Sequence, residues 1–506
     1  MSTAFETSPA RPTLERDVVV IGAGPAGLMA AYTLKKAGKS VAVIEARQRV
    51  GGRTWNGAVR DINGTEHFIE IGGQWISPDQ TRLISLVDEL GLKTFKRYRD
   101  GDSVYLSPDG TRHTYSGDLM PVSDTTNAEM EKLIGLLNTK VMEMDVERPW
   151  EMPDATALDS ISFTAWLKQH SDDQEAIDNV SIFVASGMLT KPAHTFSALQ
   201  AILMAASAGS FSNLVDEDFI LDERVVGGMQ SVSLKMAEYL GDDVFLGSPV
   251  RQLNWTTERD PATADQLNNV VADVRNGVAN NGAPGEVIAY ADEVIVKAAN
   301  AVLAVPPNLY HRIQYVPPMP REQMVAHQHL SMGLVIKIHA IYETPFWRAK
   351  GLSGTGFGGG HMVQEVYDNT NYGPNAANGT EGEDPHGVLV SFISDVHAEA
   401  MWALPEEERK HRILSELAAY LGEEAMHPIA FYLSDMGAEE WTRGAYAASY
   451  DLGGLSRWGD LQNQPTGPIY YACSDIAAEG YQHVDGAVRQ GELAANSILQ
   501  YATVSA

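Results

Sequence analysis

The chain has 506 residues, with 37 Lys and Arg against 66 Asp and Glu, a formal net charge of −29. This length calls for two or three domains, and a composition that is 44% hydrophobic and 20% charged marks a folded protein. The acidic balance excludes a nucleic-acid binder, which needs a clustered basic surface, and the single cysteine, Cys473, excludes an intramolecular disulfide, a cysteine zinc cluster and an iron–sulfur cage.

The first 16 residues are polar and read as a flexible lead-in with no secretory signal. The uncharged run Val18–Leu34 is too short to span a bilayer, and Gly22, Gly24, Pro25 and Gly27 break it. No membrane association is expected, and the lone cysteine points to the cytoplasm. Val18–Ile21 is wholly apolar and β-branched, as a buried parallel strand should be. A Gly-rich turn follows, then a helix with Leu28, Ala31, Tyr32 and Leu34 on one face, closed at Gly38. VAVIE is a second buried strand, and Asn56–His67 reads as a hairpin or loop insertion. Leu83–Leu90 and Met130–Met144 have helical patterns, and Phe196–Phe211 reads as a buried helix. Thr256–Glu286 is a polar insertion without a chemical motif, and Gly373–Gly387 is expected to be an exposed, mobile loop. The glycine cluster Gly354–Gly360 lacks a strand–helix frame and reads as a loop or strand junction.

Gly22-Ala-Gly24-Pro-Ala-Gly27 fits G-x-G-x-x-G between a strand and a helix, and Glu45 ends the next strand 18 residues after Gly27. Gly22 allows the tight turn. Gly24 lets backbone and a helix N-terminus approach a pyrophosphate, and Gly27 lets helix and strand pack closely. Glu45 can accept hydrogen bonds from both ribose hydroxyls. The residues after Glu45 decide between NAD and FAD. Arg47-Gln-Arg49-Val-Gly51-Gly52-Arg53-Thr54-Trp55 is a basic, glycine-paired loop that brings charge and backbone donors to phosphate or ring oxygens. In Glu70-Ile-Gly72-Gly73-Gln74-Trp75, a second glycine pair lets backbone lie against a flat ring.

Further motifs are Gly227-Gly228-Met229, Leu303-Ala-Val-Pro306-Pro307, Lys337, Trp441-Thr-Arg-Gly444-Ala445-Tyr446, Tyr471-Ala-Cys473-Ser-Asp475 and Gly480-Tyr-Gln-His483-Val-Asp-Gly486. On these, over nearly its whole length, the sequence resembles the FAD-dependent flavin amine oxidase family, which includes the monoamine oxidases. GGQWISPDQT, GMLTKPAHTFSALQ and QEVYDNTN narrow the resemblance to its bacterial putrescine oxidase branch. The resemblance implies an α/β fold. A discontinuous Rossmann-like FAD-binding domain would take residues 1–95, 215–305 and 425–506, and a substrate domain of mixed sheet flanked by helices would take 96–214 and 306–424. It implies that a hydride passes from the carbon beside a neutral amine to flavin N5. Hydrolysis then gives an aldehyde, and O2 reoxidises the flavin to yield hydrogen peroxide. It also suggests a homodimer.

The resemblance assigns roles residue by residue. Lys337, in an apolar strand-like stretch, would bridge through water to flavin N5; a strand-edge lysine reaching solvent is the plain structural alternative. Tyr446 would be one wall of an aromatic cage around the amine. His483 stands where the animal enzymes carry the second tyrosine; a histidine can pack flat, hydrogen-bond, or serve structure alone. Val484, Asp475, Arg53, Gly73 and Val250 match positions lining FAD, with Gly52, Gly72, Gln74, Trp75, Arg47 and Trp441 in the same motifs. Asp475 would bond ribitol or groups near the phosphates. Ala445 replaces the cysteine that attaches FAD in the animal enzymes, so the FAD is expected to be non-covalent; Cys473 reads as a packed residue. No metal is expected.

Glu365 is the candidate for recognising a diamine, whose unreacted end stays charged and needs a buried carboxylate partner; Asp368 is its local rival. The substrate expected is a small cationic amine, oxidised by O2. A monoamine oxidase remains the alternative, and an L-amino-acid oxidase would need an arginine that the matched segments do not offer. The charge of −29 suits steering of a dication as well as plain solubility. If it steers, kcat/KM for a diamine falls with rising ionic strength more steeply than for a monoamine, measured over 10–300 mM salt (a range of about 30 to 6 Å in Debye length).

Overall fold

The computed structural model describes residues 11–117, 120–216, 219–257, 285–374 and 381–504. Residues 1–10 of the lead-in, 258–284 of the polar insertion and 375–380 of the expected loop lie outside them.

Two large sheets organise the chain. The first runs Val244–Phe245, Val41–Ile44, Thr13–Ile21, Ile295–Leu303, Gly285–Ala291, Val250–Thr257 and Gln314–Val316, with Ile469–Tyr471 also pairing to Ile295–Leu303. Its centre is parallel: Val18–Ile21 register with Val41–Ile44 on one side and with Asn300–Leu303 on the other. Val18, Val19, Val20 and Ile21 are all buried, as their apolar run requires. The strand begins at Thr13, earlier than the apolar run, because Thr13–Arg16 find ladder partners in Ile295–Ala298. The lead-in is therefore shorter than expected. The helix Pro25–Lys36 and the C-terminal helix Val484–Val504 cover one face together.

The second sheet runs Ala430–Asp435, Val335–Tyr342, Gly387–Ser394, Glu365–Asp368, Leu352–Phe357, Asp102–Leu106 and Arg112–Tyr115. All neighbours are antiparallel except Leu352–Phe357 with Asp102–Leu106. One face buries Ile336, Ile338, Val366, Leu389 and Ile393 against Ile413, Leu414 and Leu417 of the helix Glu406–Leu421. The other face carries Lys337 and turns toward the candidate site. Sheet membership departs from two expected boundaries: Gln314–Val316 joins the first sheet and Ala430–Asp435 the second.

Local chemistry explains the helix ends. Ser123 accepts the Thr126 N–H at 3.1 Å and starts the helix Asp124–Glu143 six residues before the expected Met130. The apolar Phe196–Phe211 stretch resolves into a buried helix, Ala198–Ser207, capped by Ser197, and a new one started by Ser210. Asn56–Arg60 and Glu66–Glu70 form the expected hairpin. The Gly354–Gly360 cluster is a strand junction, as expected: Gly354 and Gly356 lie inside the strand Leu352–Phe357, with a register shift against Asp102–Leu106, and Gly358–Gly360 turn out of it. The arms of the expected Gly373–Gly387 loop also pair, Tyr372–Pro374 with Glu381–Glu383. Likewise, the ends of the polar insertion are ladder residues, with Thr256 opposite Glu286. Among the described residues no helix is long and apolar enough to cross a membrane.

The glycine turn is closely packed against the helix that follows it. A Cβ on Gly27 would lie 2.0 Å from the Gly22 carbonyl oxygen. Gly27→Ala is therefore expected to cost about 1–3 kcal/mol and to lower both the melting temperature and the flavin absorbance per protein.

Candidate active site

A continuous cavity of about 290 Å³ runs from the glycine turn to the second sheet. Gly22, Gly24, Glu45, Arg47, Gly52, Arg53, Gly72, Gly73, Gln74, Trp75, Val250, Trp441 and Val484 line it, together with Lys337, Glu365, Tyr446 and His483. Gly27 and Asp475 do not. Gly27 acts by packing.

The dinucleotide end comes from the first sheet. Gly24 flanks the N-terminus of the helix Pro25–Lys36, where no side chain caps the free N–H groups. Its missing Cβ would meet only Gly52 Cα, at 4.0 Å, so the cradle is open to a ligand. Glu45 is buried; Oε2 accepts the Ala23 N–H at 2.8 Å and Oε1 the Arg47 N–H at 2.9 Å, which leaves lone pairs toward the cavity.

The arginines behave differently from a free basic loop. Arg47 pairs with Glu439 and donates to Thr442 Oγ1 at 2.6 Å. Arg53 pairs with Asp475 and donates to the Tyr446 carbonyl at 3.0 Å. Asp475 accepts from Arg53, from Cys473 Sγ at 2.7 Å and from the Ala448 N–H at 2.5 Å. Burial would raise its pKa, but Arg53 outweighs burial and holds it below the usual carboxylate range. Two buried donors that line the cavity have no partner among the described residues: Arg47 Nε and Trp75 Nε1. Unpaired buried donors beside an open glycine cradle fit a polar, phosphorylated, flat cofactor such as FAD. Cys473 is buried with its thiol pushed up by burial, and Ala445 offers no sulfur.

The amine end comes from the second sheet. Phe392 lies directly opposite Lys337 on one side and Glu365 on the other. Side chains opposite one another in a ladder share a face, so Lys337 and Glu365 point into the same cavity, about 10 Å apart at the backbone. Tyr367, two residues from Glu365, joins them. Rings connect the floor: Tyr446 packs on Phe392 at 5.9 Å, Phe392 on Trp75 at 6.0 Å, and Trp75 on Tyr367 at 5.6 Å. Phe392 lies in no quoted motif, and Tyr367, inside QEVYDNTN, has no role assigned there; long-range register brings both here. His483 also lines the cavity. Its Nδ1 donates to the Tyr481 carbonyl at 2.9 Å, leaving Nε2 as an acceptor in the neutral ring. Among the described residues no ring contact joins His483 to Tyr446.

Lys337 is 6% exposed, so the strand-edge alternative fails. Its Nζ donates to the Glu70 carbonyl at 2.7 Å, the Gly72 carbonyl at 2.8 Å and Gln74 Oε1. Burial lowers its pKa to about 7. Glu365 is also 6% exposed and accepts the Tyr367 hydroxyl at 3.0 Å; among the described residues no cation pairs with it. A Cβ on Gly187 would lie 2.8 Å from Glu365 Oε1, so that glycine makes room for the carboxylate. Asp368 points to the opposite face, where it accepts from Trp347 Nε1 at 2.8 Å and Arg348 Nε at 2.7 Å. It is no rival. An arginine absent from the matched segments does reach the cavity: Arg97 lines it, 5.1 Å from the Tyr367 ring centroid and bonded to Thr355 Oγ1 at 3.0 Å.

A model of the family described as flavin containing amine oxidoreductase matches residues 25–499. The chain belongs to this family. It is 60% identical to the putrescine oxidase of Kocuria rosea, covering 96% of this chain and 95% of the relative. A putrescine oxidase structure, wild type with putrescine bound, superposes with a TM-score of 0.87 at 57% identity over 97% of this chain and 100% of that one. An L-amino acid dehydrogenase of Synechocystis is 30% identical, over 96% of each chain. Like these relatives, this flavin amine oxidoreductase has a mixed α/β fold.

Burial raises the Glu365 pKa from 4.5 to about 7, with Tyr367 offsetting part of the rise. A carboxyl raised on folding contributes stability that is complete below pH 4.5 and lost as pH climbs through 7. Glu365→Gln removes that loss. Without amine, the variant should match the parent at pH 5 and exceed it by about 3 kcal/mol at pH 8, in denaturant unfolding.

Proposed function

We propose that this chain oxidises a primary diamine at one end, with putrescine, O2 and water giving 4-aminobutanal, ammonia and hydrogen peroxide. The observation that carries the reading is Glu365: a buried carboxylate with no cation partner among the described residues, on the same sheet face as Lys337 and across an aromatic floor from it. Such a carboxylate is costly unless a ligand brings the missing charge. The 60% identity to a putrescine oxidase supports the same substrate. FAD, held non-covalently, supplies the two-electron acceptor and hands the electrons to O2.

The chain's own residues do the rest. Glu365 binds the remote ammonium and so fixes which carbon reaches the reacting end. Tyr446, Phe392 and Trp75 exclude water and offer electron-rich faces to the amine. Lys337 presents a proton-bearing group beside Gly72 and Gly73, where backbone can meet a flat ring. His483 Nε2 can accept from the reacting amine. Gly22, Gly24 and the free helix N-terminus take the pyrophosphate, Glu45 the ribose, and Val250 and Trp441 the adenine end. In this reading the first sheet is the dinucleotide domain and the second the amine domain. A homodimer in the cytoplasm belongs to the same reading.

A second reading, oxidation of aryl or alkyl monoamines, draws on the ring-lined floor. One assay separates them: peroxide production across putrescine, spermidine, tyramine, benzylamine and L-phenylalanine. Putrescine should be turned over best. Glu365→Gln should raise KM for putrescine by an amount equivalent to about 2–5 kcal/mol and leave a monoamine of similar length nearly unchanged; equal losses on both would overturn the diamine reading.

A further inference from the structure

The bonds to Lys337 are part of a closed buried circuit. Lys337 Nζ reaches Gln74 Oε1 and the Glu70 carbonyl. Gln74 Nε2 donates to Asn369 Oδ1, and Arg224 Nη1 donates to the Asn369 carbonyl at 2.9 Å. Arg224 Nε and Nη2 then grip Glu70 Oε2 at 2.9 and 2.7 Å, which returns the path to Glu70. The other Glu70 oxygen accepts the Met229 N–H at 2.7 Å. Glu70 and Arg224 are 1% and 2% exposed, so this is a fully desolvated ion pair. Arg224 lies opposite Trp75 in a small sheet, with its guanidinium 5.2 Å from the Phe95 ring centroid. The circuit joins the loop before Trp75 to the end of the Glu365 strand.

A buried ion pair is weak evidence for stability, because desolvation offsets its attraction. This one has a more specific consequence. Lys337 has three acceptors around Nζ. An ammonium has three N–H groups to satisfy them, whereas a neutral amine has two and would turn its lone pair on an acceptor. Geometry therefore favours the charged form, and burial favours the neutral one. Arg224 adds a fixed positive charge nearby and Glu70 a negative one. The ionisable groups facing Lys337 are Glu70, Arg224 and His339 on its own strand; Tyr432 and Glu365, on other strands of the sheet, share its face. His339 is 0% exposed, neither ring nitrogen has a partner among the described residues, and burial holds it neutral. It adds no charge.

We propose that Arg224 and Glu70 are positioning residues for flavin reoxidation, fixing both the place and the charge of Lys337 through Gln74 and Asn369. This rests on the reading that Lys337, beside Gly72 and Gly73, serves the reaction of the flavin with O2, as the matching lysine of the amine oxidase family does. The two charges act in opposite directions. Removing Arg224's charge makes Lys337 easier to protonate, and removing Glu70's makes it harder.

The experiment uses flavin-loaded enzyme and four variants: Arg224→Gln, Glu70→Gln, Asn369→Ala and Lys337→Met. The first readout is the flavin absorbance of the resting enzyme titrated from pH 4.5 to 10. The second is reoxidation of reduced enzyme by O2 across the same pH range, and the third is anaerobic reduction by putrescine. The midpoint of the spectral and reoxidation transitions should rise by one pH unit or more in Arg224→Gln and fall by as much in Glu70→Gln. Anaerobic reduction should stay within threefold of the parent in both. Lys337→Met should lose the transition and reoxidise at least tenfold more slowly. Unmoved midpoints, or midpoints that move in the same direction, overturn the proposal. Parent-like reoxidation in Lys337→Met instead overturns the role of Lys337 itself. If the charge variants fail to hold flavin, Asn369→Ala decides: it frees Gln74 while leaving both charges, and should slow reoxidation threefold or more with an unshifted midpoint. A parent-like rate there overturns the circuit.

Discussion

The pairing of three antiparallel strands around Phe392 is the constraint on which the amine site depends. Phe392 faces Lys337 through one ladder and Glu365 through the other. A one-residue slip in either ladder would send one ionisable head to the opposite face, among Ile336, Ile338 and Leu389. That face is packed with apolar side chains around those positions and closed by the helix Glu406–Leu421, so an ionisable head arriving there would lose its partners. Apolar burial on the far side therefore holds the register that keeps a lysine and a carboxylate on the near side. Both heads are desolvated there, and each is pushed toward its neutral form. A site tuned in this way responds to the arrival of a dication more strongly than an exposed pair would, because the low dielectric strengthens each charge it contains.

The first sheet solves a different problem. Its parallel strands end at a turn where no side chain fits, and the helix after the turn leaves its N–H groups free. The arginines around that turn are held by Glu439 and Asp475. They are wall posts rather than loose counter-ions, and their carboxylate partners come from the C-terminal part of the chain. The cofactor end is thus closed by segments remote in sequence, which is why the family match has to run over residues 25–499.

Much of this was legible in the amino-acid order. The strand–turn–helix cradle, Glu45 and the second glycine pair lie within one stretch, and local sterics demand those residues. Lys337 was legible as a costly lysine in an apolar strand, and Glu365 as a carboxylate suited to a diamine. The pairing of Asp475 with Arg53 was not legible, because the two lie far apart in the chain. Asp368 stayed a rival to Glu365 until strand alternation turned it toward Arg348. Arg97 and Phe392 carried no signal, since each reaches the cavity through contacts that no short pattern encodes; Tyr367 follows from Glu365 by strand alternation.

By itself, the sequence determined the dinucleotide cradle, the absence of a cysteine where FAD could be tethered, and the membership in a flavin amine oxidoreductase family. These are properties of short contiguous motifs, where backbone sterics and residue type decide the outcome. Only the tertiary structure decided which charges share a face, which arginines are already paired, and that Glu70, Arg224, Asn369 and Gln74 close a ring on Lys337. The reason is physical. Cross-strand register and the pairing of buried charges depend on burial summed over the whole molecule, and that sum is fixed only when the chain has folded.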